Sequence, residues 1–197
     1  MGHRALLAYR RDNSTLTGDS TGEDDDTGRL PDDAAEAGDD TPTYDLHRSH
    51  WGGADFALLD RIRPDAPYAT DTQFAVDPEP IATGLTLAEI AADHLNFLHH
   101  EAFYRVAADY ETTAFHPVWF GLDIDSETVE RSATVGHGAL VEAVPEEANY
   151  FRGWVRGTKA VVGEMVDREA LSREAARDYL VERVRSWADD RVVVVPS

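Results

Sequence analysis

Histidines are the side chains in this sequence best equipped for chemistry, and there are eight: His3, His47, His50, His94, His99, His100, His116 and His137. His47 and His50 stand in an H-x-x-H spacing. On a helix that spacing would put both rings on one face. They fall instead in a segment with strand alternation, where residues three apart point to opposite sides. Only a bulge near Gly52-Gly53 would aim both at one ion. His99-His100-Glu101 lies where a helix is expected to give way to a strand. Joined by His47 or His50, it would make a His/His/Glu set open to water, suited to a divalent metal such as zinc and to activating hydroxide. The spacing matches no H-E-x-x-H signature. The plainer reading is a group of hydrogen-bonded histidines around a sheet edge. His94 and His116 read as satisfied core histidines, one on an apolar helix stripe and one in an aromatic strand.

A second constellation is basic. Arg152, Arg156 and Lys159 fall within about 60° of one another at 100° per residue on the polar side of a strongly amphipathic helix. Gly153 and Gly157 adjoin them and would admit a ligand or another backbone. Such a row suits an anionic small molecule or an acidic partner through charge-assisted hydrogen bonds. Alternatively it pairs with the protein's own carboxylates, Glu164 among them.

Other chemistries lack their signatures. Ser49 has histidines nearby but no G-x-S-x-G elbow. Removal of Met1 would expose Gly2, which cannot serve as an N-terminal nucleophile. There is no Walker-type loop and no strand followed by G-x-G-x-x-G. With no cysteine, disulfides, iron–sulfur ligation and thiol catalysis are excluded. No residue is assigned as catalytic.

The 197 residues carry 38 acids against 18 bases, a net charge of −20. That balance disfavours non-specific nucleic-acid binding and anionic membrane surfaces. No apolar run approaches the roughly 20 residues of a membrane span, and the opening residues lack the apolar core of a signal peptide. A cytoplasmic protein is expected. Seventeen of the bases are Arg and one is Lys, while 23 of the acids are Asp. Many short carboxylates with almost no Lys suit concentrated salt, where the Debye length shrinks to about 3 Å at roughly 1 M and self-repulsion costs little.

The elements that must position these groups read as one domain over 1–197. Residues 12–43 hold eleven acids and one base, Arg29, with little to bury. They are expected to be a disordered acidic insertion between two strands, His3 to Arg10 and Tyr44 to Trp51, that pair as a hairpin. Ala54 to Arg63 is expected to form a short helix, and 64–84 a loop. Thr86 and Glu89 form a capping box for a helix over 87–98 with Ile90, His94 and Leu98 on its apolar stripe. Strands follow at about 102–109, 113–121 and 138–144. Phe151, Trp154, Val155, Val161, Val162, Met165 and Val166 share one arc of the next helix. Ser172 caps a last helix, and 192–195 is a final strand. The order predicts an α+β fold: a mainly antiparallel sheet with two to four helices packed on one face.

Several segments carry a resemblance: Met1-Gly2-His3-Arg4-Ala5-Leu6, Leu46-His47-Arg48-Ser49-His50-Trp51-Gly52, Asp77-Pro78-Glu79-Pro80, His99-His100-Glu101-Ala102-Phe103-Tyr104 and Lys159-Ala160-Val161-Val162-Gly163-Glu164. Together they resemble an uncharacterised protein family of halophilic archaea. That family has no assigned activity, so the resemblance implies salt adaptation and no catalytic residue. The expected function is a non-enzymatic, salt-adapted cytosolic binding or interaction protein without a cofactor. The alternative is a metal-dependent hydrolase using the His/His/Glu cluster.

Overall fold

The computed structural model describes residues 3–11, 41–122 and 133–196. Apart from Thr41, Pro42 and Thr43, the acidic insertion lies outside the described residues. Seven strands form one sheet: β1 (Arg4–Arg10), β2 (Tyr44–Ser49), β3 (Ala82–Leu85), β4 (His100–Val106), β5 (Thr112–Trp119), β6 (Gly138–Glu142) and β7 (Val193–Val194). Their order is β3-β2-β1-β4-β5-β6-β7. Only the β1–β4 contact is parallel; the other five ladders are antiparallel. The expected pairing across the insertion is present. Arg10 faces Tyr44 in register, and the Arg11 amide donates to the Thr43 carbonyl at 2.9 Å.

Strand alternation sorts the core onto two faces. On one, Leu7, Tyr104 and Val106 pack under Phe56, Leu58 and Val76 from the segment after β2. Farther along that face, Val118, Ala139 and Val141 pack against α2 (Ala148–Asp167) and α3 (Arg173–Ala188). On the other face, Leu6, Leu46, Phe103 and Phe115 pack against Ile90, Leu95 and neighbours. The expected α+β class with a mostly antiparallel sheet is therefore the observed one. The two long helices share a face, while the short helical segment covers the opposite face.

That short segment departs from expectation in an instructive way. Its capping box is present: Thr86 Oγ1 accepts from the Glu89 amide at 3.2 Å, and the Glu89 carboxylate accepts from the Thr86 amide at 2.8 Å. After one turn, α1 (Leu87–Glu89), the chain widens into a π turn over Ile90–His94. The Leu95 amide donates to the Ile90 carbonyl, five residues back rather than four. The extra residue rotates the stripe. Leu95 enters the core in the place that an α-helix would give to His94, while His94 and Leu98 are exposed. The expected helix over 54–63 is also reduced. It is a 3-10 turn at Ala54–Phe56 followed by further turns, and Asp55 and Phe56 have φ of 46° and 55°.

Candidate functional site

The β4–β5 ladder runs from Val106↔Thr112 to Phe103↔Phe115 and stops. Beyond it, the start of β4 stays with β1, where Arg4 faces His100 and Ala5 faces Ala102. The end of β5 stays with β6. Pro117 lies in this parting of the strands, and its missing N–H removes a ladder donor. The α2 helix spans the gap, held by Phe151, whose ring centroid is 4.9 Å from that of His116. The result is a groove of about 1250 Å³ between one side of α2 and the parted strands.

Arg152, Arg156 and Lys159 all line this groove, as the helical spacing predicts for a common face. Among the described residues neither Arg152 nor Arg156 has a carboxylate partner. Glu164, the expected intrahelical partner, pairs with Arg168 at 2.7 Å instead. Lys159 places its Nζ 4.8 Å from the Trp119 ring centroid, within cation–π range. Arg152 sits 5.9 Å from the Phe56 ring centroid. At Gly153 and Gly157, no atom lies within 4 Å of where a Cβ would stand, so no other part of the described chain makes the close approach these glycines permit.

His116 forms the buried end of the site. It is 3% exposed, lies between Phe56 and Phe151, and lines the groove. Among the described residues neither ring nitrogen has a hydrogen-bond partner. Burial drives its pKa down to about 3, and the Arg152 and Arg191 charges push the same way. The ring is therefore neutral at pH 7, with one donor and one acceptor. Sequence reasoning set His116 aside as a satisfied core residue. Strand alternation with Ala114 and Val118 already pointed it toward the α2 layer, but only the parted ladder reveals its orphaned nitrogens.

The proposed metal-ligating residues are not gathered at one point. His47 is buried under the post-β2 segment and donates through Nδ1 to the Asp77 carbonyl at 2.9 Å. His50 and His99 are exposed. His100 Nδ1 lies 3.1 Å from both the amide nitrogen and the carbonyl oxygen of Asn96, accepting from the first or donating to the second according to its tautomer, and burial lowers its pKa to about 4. Glu101 is the extra residue of the bulge on β4, which turns it toward His3; His3 Nδ1 donates to its carboxylate at 2.6 Å. His100 and Glu101 do border the groove, but His47 is two strands away on β2, packed against Tyr9 and Tyr68, and His50, three residues on, points to the other side of the strand. Among the described residues, no three His, Asp or Glu side chains converge on a metal position. The Ser49 hydroxyl donates to the Phe74 carbonyl and accepts from the Gly52 amide, tying a loop rather than meeting a histidine.

Among the described residues no helix is long and apolar enough to cross a membrane. No curated protein and no solved structure matches the chain. One family model does, over residues 69–195, a span that runs from before β3 through β7 and includes α2 and every residue named above as a groove wall. The chain therefore belongs to the family of unknown function DUF6735.

Proposed function

We propose that the protein acts by binding, and that the α2 groove takes an anionic small molecule. The observation that carries this reading is the pair Arg152 and Arg156. Two guanidinium groups border a large groove without carboxylate partners among the described residues, in a chain of net charge −20. A cation in so acidic a protein would gain from almost any neighbouring carboxylate, so its open side is fitted to a ligand. The test is titration with anilinonaphthalene sulfonate, an anionic fluorophore, in molar KCl. Wild type should bind it saturably, and Arg152→Gln with Arg156→Gln should weaken binding at least tenfold. Equal binding by both proteins would refute the reading.

The acid excess and the single lysine support a salt-adapted cytosolic protein, of the kind found in halophilic archaea. The charge also speaks against non-specific nucleic-acid partners. In dilute buffer, where the Debye length reaches about 30 Å at roughly 0.01 M, the self-repulsion is unscreened. Circular dichroism across a KCl series should show structure lost at low salt. A melting temperature unchanged from dilute buffer to molar KCl would count against salt adaptation.

A further inference from the structure

The anion-binding reading leaves the ligand's class open, and the groove's walls narrow it. The exposed apolar surface there is aliphatic: Leu98 is 48% and Val161 60% exposed, and Val155 and Pro117 are half-buried. The aromatic residues of the same walls, Phe97, Trp119 and Phe151, are almost wholly buried, and Lys159 already covers the Trp119 ring. They offer no face on which a nucleobase could stack. An aliphatic chain needs no such face and gains from covering Leu98 and Val161.

Charge is distributed along α2 so as to orient a ligand. Arg152, Arg156 and Lys159 occupy its first two-thirds, and Glu164 and Asp167 stand at its far end. An anionic group is drawn to the first end, whereas at the second Arg168 is already paired with Glu164 at 2.7 Å. At the first end lies the orphaned His116 ring, sharing the Phe56 ring with Arg152. A buried imidazole without a partner is costly, and a ligand oxygen would supply that partner.

Resting on the anion-binding reading, we propose that the groove binds an amphiphilic anion. Its carboxylate or phosphate head is held by Arg152, Arg156 and the N–H of His116, and its aliphatic chain lies along Val155, Val161 and Leu98. Because His116 is neutral at pH 7, it can donate one hydrogen bond to the head without adding charge.

The test is calorimetric titration of the full chain in molar KCl with octanoate, octyl phosphate, acetate, octan-1-ol and adenosine monophosphate. One octanoate or octyl phosphate should bind per chain, at least tenfold more tightly than the other three, and the stronger of the two identifies the head. Leu98→Ser with Val161→Ser should remove at least tenfold of the chain-bearing anion's affinity. His116→Leu should remove at least fivefold and His116→Gln, which keeps a donor, less. Near-UV circular dichroism checks that each variant folds; if His116→Leu does not, the His116→Gln comparison and the surface pair carry the test. Acetate or adenosine monophosphate binding as tightly as octanoate would overturn the chain while sparing the anion reading. Octan-1-ol binding as tightly would overturn the head. Absence of saturable binding by every probe would overturn both.

Discussion

Arg152 and His116 meet over a common ring: the Arg152 guanidinium carbon lies 5.9 Å from the Phe56 centroid, and the His116 ring centroid lies 4.8 Å from it. One residue comes from α2, the other from the parted end of β5. Their proximity places a permanent cation beside an imidazole that is already buried, so protonation of His116 is opposed twice, first by lost hydration and then by the guanidinium.

That opposition gives an acid-sensitivity with a definite sign. The unfolded chain takes up a proton on His116 near pH 6.5, while the folded chain holds the ring neutral down to about 3. Between those values the unfolded state binds more protons, so stability falls as pH falls. His100, held down to about 4, acts in the same direction. Each such histidine contributes a slope of roughly 1.4 kcal/mol per pH unit once below its unfolded pKa. Denaturant melts between pH 6 and 5 should show His116→Leu losing the contribution of that one histidine, roughly 1.2 kcal/mol per pH unit, in a window above most carboxylate titrations. An unchanged slope would mean that His116 is protonated in the fold.

Local signals were legible in the sequence where backbone and packing agree. The Thr86–Glu89 capping box, the Ser172 cap and the alternating strands β1 and β2 depend on neighbours in sequence, and each is present. The common face of Arg152, Arg156 and Lys159 followed from helical geometry alone. What the sequence hid was non-local. The groove exists because the β4–β5 ladder ends at Phe103↔Phe115, and no periodicity in either strand announces that. The strand β3 was hidden too, because Ala-Thr-Gly-Leu has little strand character until β2 pairs with it.

The π turn yields a second prediction, because it exchanges the roles of two adjacent residues. Helical periodicity buries His94 and leaves Leu95 on the flank; the observed i→i+5 bond reverses this. Leu95→Ala should therefore cost about 2–5 kcal/mol, the range for truncating a fully buried leucine. His94→Ala should stay within about 0.5 kcal/mol of wild type, as exposed substitutions do. Chemical denaturation of both variants in high salt decides it, and a larger loss from His94→Ala would restore the regular helix.

The basic row should separate into parts that matter differently. Arg152 and Arg156 are exposed and, among the described residues, without ion-pair partners, so reversing both removes no salt bridge seen in the fold. The added negative charge is screened at molar salt, where the Debye length is about 3 Å. Arg152→Glu with Arg156→Glu should therefore melt within about 0.5 kcal/mol of wild type in molar KCl. Lys159 is different, because its Nζ lies against the Trp119 ring, which is 5% exposed and donates through Nε1 to the Ala133 carbonyl at 3.0 Å. Replacing that ammonium with a carboxylate puts like charge against the negative face of the ring. Lys159→Glu should cost about 1 kcal/mol or more, the scale of a partly desolvated cation–π contact. Paired thermal melts read the contrast directly. If the arginine double variant unfolds while Lys159→Glu does not, the row is a structural element anchored at its first two residues, and the anion site must be sought elsewhere.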